Sequence, residues 1–396
     1  MPFLDLREFL QLLEENGELL RVTKPVEAKY EIAAYIRRGS SDDGGSSCLG
    51  CEIEWNEVEK RMEKGLATLQ VLEEVRVRRQ LTFACGDYDR TQALIDGTVR
   101  PEGLELNWLI LPHQEIWTRM LNHYEFDASE LSLSSYIIAR TLGKPLIAIP
   151  VFPARAFRHS YVFINTKSGI REPRDLMGKR VGLAEFQQTA TVWVRGILQH
   201  EYGVSLEKIQ WFTWVKQDRM EIDMPGHYDI QKIPEGVSPD HLLIEGELDA
   251  IICASLFPSL LRGHSNVRRL FDNYKEVEAA YYKKTGIFPI MHTVAIREEL
   301  WRDCPWIATS LFKAFQKAKE IAYQKVNDAS PYKISMVWFR EPIKEQQEIL
   351  GDDPWPYGLA RNRKTVETLA QYLFEQGLIK KKPSIEELFA PNSLSL

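Results

Sequence analysis

Charged side chains gather at the end of the first predicted strand, LTFAC. The strand runs into the turn GDYDR, which places Asp87, Asp89 and Arg90 at its carboxyl end. Ligands of open α/β sheets bind at the carboxyl ends of the strands. Glycine and aspartate also occur in turns for conformational reasons alone. The segment is therefore a candidate ligand site, with a simple turn as the alternative.

Three further segments place hydrogen-bond donors beside predicted element boundaries. SELSLSSYIIAR has serines where a helix should begin, RAFRHSYVFIN has arginines before a strand, and EFQQTATVWVRG has amides and hydroxyls before a helix. Serines at a helix start are ordinary N-caps as well as ligand donors, and free N–H groups at a helix start attract carboxylate or phosphate. The candidate binding residues in these segments are Ser132, Ser134, Arg155, Arg158, Gln187, Thr189 and Thr191.

Short β-rich runs alternate with helical stretches from Leu81 onward and would position these side chains. The runs include LTFAC, LELNWLI, SYVFIN, LDAIIC and MHTVAI. Such alternation is typical of an α/β fold with a mainly parallel sheet. After Arg297 the sequence is almost wholly helical, with amphipathic segments at 306–326 and 366–376.

The first 80 residues have a different character. An apolar stripe predicts a helix that stops at Asn16-Gly17, and the Gly/Ser-rich stretch GSSDDGGSSCLG is typical of a flexible linker. Cys48 and Cys51 form a C-x-x-C pair, which is typical of a zinc knuckle or a redox pair. Tetrahedral zinc needs two more ligands and no second C-x-x-C or H-x3-H follows, so two thiols in a flexible loop are expected. Residues 1–80 are therefore predicted to be an appended helical segment and linker, without a metal.

Charge and hydropathy exclude several classes of protein. The 50 Lys and Arg residues against 56 Asp and Glu residues leave a net charge of −6, which argues against generic nucleic-acid binding. The longest mostly apolar stretch, 145–154, is far below the ~18 residues needed to span a bilayer. The opening residues also lack the basic and apolar regions of a signal peptide. We expect a cytoplasmic protein without membrane association, and homo-oligomerisation stays open.

From about residue 81 to its end, the chain resembles the 4,5-dihydroxyphthalate decarboxylases. The resemblance rests on seven ordered segments: GDYDRT, DASELSLSSY, IPVFPARAFRHS, EFQQTATVWVRGIL, GELDAII, KKTGIFPIMHTVAIR and DPWPYG. It implies a type II periplasmic-binding-protein fold, in which two crossing strands, here SYVFIN and HTVAIR, join two α/β lobes around a ligand cleft. Lobe one would comprise residues 81–166 and 290–396, and lobe two residues 167–289.

A second, shorter resemblance concerns the start of the chain. DLREFLQLLEENGELLRVTKPVEAKYEIAAYIRR is similar to the start of the UbiD-type aromatic carboxy-lyases, which use a prenylated flavin. The match ends at the Gly/Ser-rich linker, and the cofactor and metal site of that family have no counterpart here. No cofactor is therefore expected.

The first resemblance implies an aromatic decarboxylase of phthalate degradation. Its substrate would be 4,5-dihydroxyphthalate or a closely related hydroxylated aromatic carboxylate. Two adjacent carboxylates need cationic partners, and Arg90, Arg155 and Arg158 are the candidates because guanidinium groups bind carboxylates bidentately. Solvated surface arginines are the alternative interpretation.

Decarboxylation of such a ring needs a base at the hydroxyl para to the leaving carboxylate and an acid at the ring carbon. Histidine suits either role, because its ordinary pKa lies near neutral pH. His159, directly before SYVFIN, and His292, which opens HTVAIR, are the candidate acid and base, in either order, with structural histidines as the alternative. Asp87 or Asp89 would orient a histidine or accept a phenolic proton, with a turn-making role as the alternative. His159, His292 and Asp89 could also form a two-His-one-carboxylate metal set, but no metal is expected.

Two alternatives stay open for the function. The same fold would serve a non-catalytic solute-binding protein for an anionic aromatic ligand. The absence of an export signal argues against that alternative. A pyrimidine-precursor synthase on this fold would need a Cys-rich iron site, which the sequence lacks.

Overall fold

The structure is a computed structural model, and it describes residues 79–215, 220–328 and 334–396 of the chain. The C-x-x-C pair, the UbiD-like stretch and all but the last two residues of the expected appended segment lie outside the described residues.

The described part of the chain is built from strands that alternate with helices. The strands, in chain order, are β1 (Arg79–Cys85), β2 (Leu104–Ile110), β3 (Ala128–Ser132), β4 (Leu146–Ile149), β5 (Val162–Asn165), β6 (Arg180–Leu183), β7 (Gln210–Thr213), β8 (Asp229–Lys232), β9 (Ala250–Ile252), β10 (Val267–Arg269) and β11 (His292–Arg297). The α-helices are α1 (Gln92–Ile95), α2 (His113–His123), α3 (Leu133–Thr141), α4 (Thr189–Tyr202), α5 (Pro239–Glu245), α6 (Pro258–Arg262), α7 (Tyr274–Thr285), α8 (Glu298–Asp303), α9 (Trp306–Asn327), α10 (Arg340–Leu350), α11 (Arg363–Glu375) and α12 (Ile385–Leu388).

A five-stranded mixed sheet has the strand order β2-β1-β3-β11-β4. β1 pairs in parallel with β2 and β3, whereas β11 is antiparallel to both β3 and β4. The strands β1 to β4 therefore share one direction, and their carboxyl ends lie at one edge of the sheet. This edge is where a ligand site is expected in an open α/β sheet.

A six-stranded sheet has the order β10-β5-β9-β6-β7-β8. β6 pairs in parallel with β7 and β9, and β7 pairs in parallel with β8. β5 is antiparallel to β9 and β10. The two mixed sheets with their helices confirm the expected two-lobed α/β class.

The chain passes from the first sheet to the second before β5 and returns at β11. The sequence expectation placed residues up to 166 in lobe one. β5 nevertheless pairs only with strands of the six-stranded sheet. Residues 162–165 therefore belong to the second sheet and not to the first. Sequence spacing shows where a crossing strand is, but the hydrogen-bonded neighbours decide which sheet it joins.

Helix α4 connects the two halves of the molecule through its packing. Most of its residues are buried, and the fully buried Trp193 donates its indole N–H to the Ile290 carbonyl at 3.0 Å, just before β11. The helix ends at Gly203, which adopts φ +65°, a left-handed conformation that glycine takes without strain. The bond from Trp193 to Ile290 holds the start of α4 against the edge of the five-stranded sheet.

Among the described helices, none is both long and apolar enough to cross a membrane.

Candidate functional site

A fully buried carboxylate, Glu130, lies in the centre of the five-stranded sheet near the common carboxyl edge. β11 pairs with β3 so that His292 is opposite Ser132 and Val294 is opposite Glu130. Side chains two residues apart on a strand share a face, as do directly opposed residues. Glu130, Ser132 and His292 therefore project from the same face.

Four donors converge on the Glu130 carboxylate. One oxygen, Oε1, accepts from the Tyr88 hydroxyl at 2.5 Å and from His292 Nδ1. The other, Oε2, accepts from the Gly86 backbone N–H at 2.9 Å and from the Cys85 thiol at 3.3 Å. Both oxygens of this buried carboxylate are thus satisfied by donors from β1, its turn and β11.

His113 completes the group that we call the Glu130 cluster, which consists of Tyr88, His113, Glu130 and His292. Its Nε2 lies 2.7 Å from the Tyr88 hydroxyl and 3.6 Å from Glu130 Oε2. The imidazole rings of His113 and His292 are 5.1 Å apart, and Trp117 packs edge-on against His292 at 5.0 Å. Two histidines therefore flank one buried carboxylate.

The charge state of the cluster follows from its contacts. Burial alone would raise the pKa of Glu130, but His292 and His113, through their hydrogen bonds and through their charge when protonated, hold it well below its usual value. Burial and the Glu130 charge raise the pKa of Tyr88. With an ionised Glu130, Tyr88 donates to the carboxylate, and His292 carries its proton on Nδ1.

Gly86 is required by the close approach of His113. A Cβ atom at this position would lie 2.6 Å from His113 Nε2 and 3.0 Å from the Tyr88 ring. The turn GDYDR therefore does more than reverse the chain, because its glycine makes room for a histidine and its tyrosine joins the cluster.

The predicted hydroxyl and amide residues meet across the two halves of the molecule. Ser132 Oγ lies 2.7 Å from Thr189 Oγ1, the Ser134 backbone N–H donates to the same hydroxyl at 3.0 Å, and the Ser134 hydroxyl donates to the Gln187 carbonyl at 2.5 Å. Ser132 precedes α3 as its N-cap residue, yet its side chain does not cap the helix. The structure therefore brings these four predicted residues together, next to His292.

Thr191 and the Gln187 amide have different environments. The Thr191 hydroxyl lies 2.8 Å from the carbonyls of Glu185 and Gln188, within the start of its own helix. The Gln187 side chain donates to the Met220 carbonyl at 2.7 Å, and its buried Oε1 has no partner among the described residues.

The three predicted arginines have three different environments. Arg90 is held between the rings of Tyr88 and Trp355, each 4.3 Å from its guanidinium carbon, and donates to Asp89 at 3.0 Å. Arg155 is buried and donates to the carbonyls of Phe288 and Pro356, as well as to the Asn362 side chain. Arg155 therefore anchors the segment around residue 356 rather than presenting an open guanidinium edge.

Arg158 lacks a carboxylate partner in the described part of the chain. Its Nε donates to the Met291 sulfur at 3.1 Å and its Nη1 to the Ala254 carbonyl at 3.0 Å. Burial lowers its pKa to about 10, so it stays charged near neutral pH. Ala254 follows β9, whose carboxyl end lies at the same edge as the end of β6, where α4 begins.

His159 and Asp89 do not join the Glu130 cluster, which corrects the expected pairing of His159 with His292. The His159 ring is 3% exposed and packs against Tyr202, Phe271 and Tyr281, and neither ring nitrogen has a hydrogen-bond partner among the described residues. Asp89 is exposed at the tip of its turn and pairs with Arg90. The expected His159–His292–Asp89 set is therefore not brought together.

The sequence analysis missed Glu130 and His113. His113 opens α2, directly after the carboxyl end of β2. The rule that singled out GDYDR would have found it as well, because β1 and β2 are parallel neighbours. Glu130 gave no comparable signal, since a lone glutamate within ASELS looks like an exposed residue.

The residues that could hold a metal ion also belong to this cluster. His113, Glu130 and His292 offer ligand atoms within 4.8 Å of one another, a two-His-one-carboxylate set. In this arrangement both Glu130 oxygens already accept protein donors. The metal-free mechanism stays a prediction.

Comparison with known proteins places the chain among named relatives. It is 37% identical over 321 residues to a 4,5-dihydroxyphthalate decarboxylase of Comamonas testosteroni, covering 80% of this chain and 97% of the relative. It is 34% identical over 209 residues to a protein of the same name from Pseudomonas putida, covering 51% of this chain and 81% of that relative. No protein-family model matches the chain.

Two solved structures with a similar backbone are sulphonate-binding proteins. The periplasmic aliphatic sulphonate binding protein SsuA from Escherichia coli aligns with a TM-score of 0.48 at 16% identity, covering 80% of this chain and 98% of that protein. The alkanesulfonate-binding protein SsuA from Xanthomonas axonopodis pv. citri aligns with a TM-score of 0.43 at 12% identity, covering 79% and 97%. The identity and coverage of the Comamonas relative show that this chain belongs to the 4,5-dihydroxyphthalate decarboxylase family, whose members are carboxy-lyases.

Proposed function

We propose that this protein releases carbon dioxide from 4,5-dihydroxyphthalate or a closely related hydroxylated aromatic carboxylate, with the Glu130 cluster as its proton-transfer site. The observation that carries the proposal is the buried, ionised Glu130 bonded to His292 and Tyr88 at the carboxyl edge of the sheet. The relatives' name supplies the substrate class. The proposal includes a small aromatic carboxylate as the partner and a cytoplasmic location.

His292 is the proposed base. Its Nδ1–H donates to Glu130, so the lone pair of the neutral ring is on Nε2. An adjacent carboxylate fixes this tautomer and stabilises the imidazolium that forms when Nε2 accepts a proton. The proton comes from the hydroxyl para to the leaving carboxylate, and its removal enriches the ring carbon in electrons.

The proton and electron balance of the reaction is simple. A proton adds to the electron-rich ring carbon, the bond to the carboxylate carbon breaks, and its electron pair restores the aromatic ring as carbon dioxide leaves. The proton on His292 then returns to the phenolic oxygen. Each turnover exchanges one carboxylate for one hydrogen and consumes one proton from solvent.

His113 and Tyr88 are proposed to contact the second hydroxyl. A catechol carries two adjacent hydroxyls, and the two imidazole rings that flank Glu130 stand 5.1 Å apart. The contact between His113 Nε2 and the Tyr88 hydroxyl lets a proton move within the cluster. Recognition of both hydroxyls would therefore select catechols over simple phthalates.

The substrate carboxylates are proposed to meet Arg90 and Arg158, in a cleft between the two sheets. Arg158 is buried without a carboxylate partner in the described residues, and a buried charge gains from one. The Ser132–Thr189 contact closes the two halves beside His292. Closure excludes water and strengthens charge interactions at the reacting carboxylate.

The test is carbon dioxide release by the purified full-length protein. We expect conversion of 4,5-dihydroxyphthalate to 3,4-dihydroxybenzoate without added flavin, followed by manometry and by chromatography of the product. The same assay after treatment with a chelator should retain activity. Phthalate, which lacks the hydroxyls, should bind without reacting.

Binding without turnover, in folded protein supplied with divalent metals, would contradict the decarboxylase proposal and support a solute-binding role. If chelation abolishes turnover and added metal restores it, the protein is a decarboxylase but the metal-free mechanism is wrong. In that case the two histidines and Glu130 would be the ligands to test by mutation.

A further inference from the structure

The hydroxyl of Tyr357 is a buried polar group that lacks a hydrogen-bond partner among the described residues. Its residue is only 7% exposed. Buried hydroxyls are normally hydrogen-bonded, because an unpaired one costs free energy relative to water. A ligand that brings an acceptor to this hydroxyl would remove the cost.

Tyr357 lies at the same sheet edge as the Glu130 cluster. The segment around it is fixed to the chain that leaves β4, since the Gly358 N–H donates to the Pro150 carbonyl at 2.8 Å and the Trp355 indole N–H donates to the Phe152 carbonyl at 3.1 Å. β4 runs in the same direction as β1 and β3, so its carboxyl end lies at the edge described above. The segment therefore forms one wall of the candidate site.

Arg90 extends along this wall. Its guanidinium is stacked between Tyr88, which donates to Glu130, and Trp355, two residues before Tyr357. Nε donates to the Pro153 carbonyl at 2.6 Å and Nη1 to Asp89, so the Nη2 side of the fork is not used by these bonds. Asp89 is 69% exposed, and such a surface pair contributes little and exchanges easily.

Tyr357 stays protonated in this environment and can donate. Burial and the nearby Cys85 and Asp89 raise its pKa, while the charges of Arg90 and Arg155 oppose the shift. A phenol O–H and a guanidinium on the same wall are a donor set for an anion. No described carboxylate occupies it, because the Arg90 partner Asp89 lies at the exposed turn tip.

We infer that the Tyr357 hydroxyl and the Arg90 guanidinium bind the carboxylate that stays on the ring after decarboxylation. The inference rests on the proposed function, because it takes the ligand to be an aromatic ortho-dicarboxylate. It makes Tyr357 a specificity residue that distinguishes dicarboxylates from catechols without carboxylates. With this carboxylate held by Tyr357 and Arg90, the ring hydroxyls would point towards the Glu130 cluster.

The test compares Tyr357 with a tyrosine of α9 that bonds to the same segment. Tyr323 is the matched control, since its hydroxyl donates to Asp353 at 3.1 Å and accepts from the Trp355 N–H at 3.0 Å. Tyr357→Phe should raise the inhibition constant of phthalate about tenfold, because a hydrogen bond to a charged group is lost. The inhibition constant of catechol, which lacks carboxylates, should not change.

Stability separates a binding role from a structural one. Tyr357→Phe should keep or raise the melting temperature, since it removes an unpaired hydroxyl, whereas Tyr323→Phe should lower it by breaking two internal bonds. Tyr323→Phe should shift the phthalate constant by less than twofold. The KM for 4,5-dihydroxyphthalate should rise in Tyr357→Phe by more than any fall in kcat.

An unchanged phthalate constant in Tyr357→Phe overturns the inference, as does an equal weakening of phthalate and catechol. Phthalate binding that depends on Tyr357, in a wild-type protein that releases no carbon dioxide, upholds this carboxylate site and refutes the proposed reaction. The two failures are therefore distinguishable.

Discussion

Glu130 is the residue on which the proposed proton transfer depends. Glu130→Gln replaces an acceptor of four hydrogen bonds by an amide whose NH2 group opposes the donors around it. The amide also cannot stabilise a His292 imidazolium. We expect kcat to fall by roughly 10²- to 10⁴-fold, the range of general acid–base catalysis. Steady-state kinetics of the folded variant, checked by circular dichroism, measures this loss.

His159→Phe is the control for that experiment. His159 makes ring contacts with Tyr202, Phe271 and Tyr281 and no hydrogen bond through its ring nitrogens within the described chain. Phenylalanine keeps those contacts, so kcat should change by less than the Glu130 variant changes it. A loss equal to that of Glu130→Gln would return His159 to the catalytic machinery.

The sequence could predict His292 but not its partners. Its position on a crossing strand came from the resemblance, and the structure places it against Glu130. His159 has the same kind of position in the sequence yet is enclosed by aromatic rings. Which histidine meets a carboxylate depends on pairing between strands more than 150 residues apart in the chain, and residue types alone do not show that.

At the scale of elements, apolar β-rich runs were the reliable signal. LELNWLI and HTVAIR coincide with β2 and β11 as the structure has them. β3 was missed, because ASELS contains two serines and a glutamate although all five residues are buried. A central strand that carries buried polar groups breaks the hydrophobic pattern used to find strands.

The packing of α4 on α11 gives a prediction at this scale. A Cβ atom at Gly196 would overlap the ring of Tyr372, which is buried and is held between Trp193 and His200. Gly196→Ala should therefore lower the free energy of unfolding by about 1–3 kcal/mol, as overpacking does. The cost of the overlap with Tyr372 outweighs the roughly 1 kcal/mol by which alanine is favoured over glycine inside a helix.

A double-mutant cycle checks the cause of this loss. In a Tyr372→Leu background the same Gly196→Ala change should cost less, because the smaller side chain leaves room for the methyl group. Urea unfolding of the four proteins measures the coupling. Equal costs in both backgrounds would mean that the destabilisation arises elsewhere than at the α4–α11 contact.

At the scale of the whole molecule, a net charge of −6 must coexist with the proposed binding of an anionic substrate. The structure concentrates buried cationic groups near the candidate site, with Arg155 and Arg158 both below 9% exposed. Overall charge therefore excluded a polyanion such as nucleic acid without excluding a small dicarboxylate. Whether a small anion can bind depends on where the cationic side chains are buried, which composition does not show.

The stability of the whole molecule should depend on pH through His159. Burial lowers its pKa from about 6.5 to about 4, with the carboxylate of Glu201 opposing the shift. Between these two pH values the unfolded chain binds a proton that the folded chain does not, so stability falls as the pH is lowered through this window. Above about pH 6.5 the effect is absent. At about pH 4.5 it should reach about 2–3 kcal/mol.

His159→Phe isolates this contribution, because phenylalanine does not titrate and every carboxylate remains in both proteins. The wild type should lose about 2–3 kcal/mol more than the variant between about pH 7.5 and pH 4.5. Urea unfolding at the two pH values measures the difference. Parallel losses in the two proteins would show that His159 is protonated in the folded state, which would require a polar partner inside its aromatic enclosure. The same experiment therefore tests whether this histidine is a packing residue of the fold or a proton carrier, the role proposed for His292.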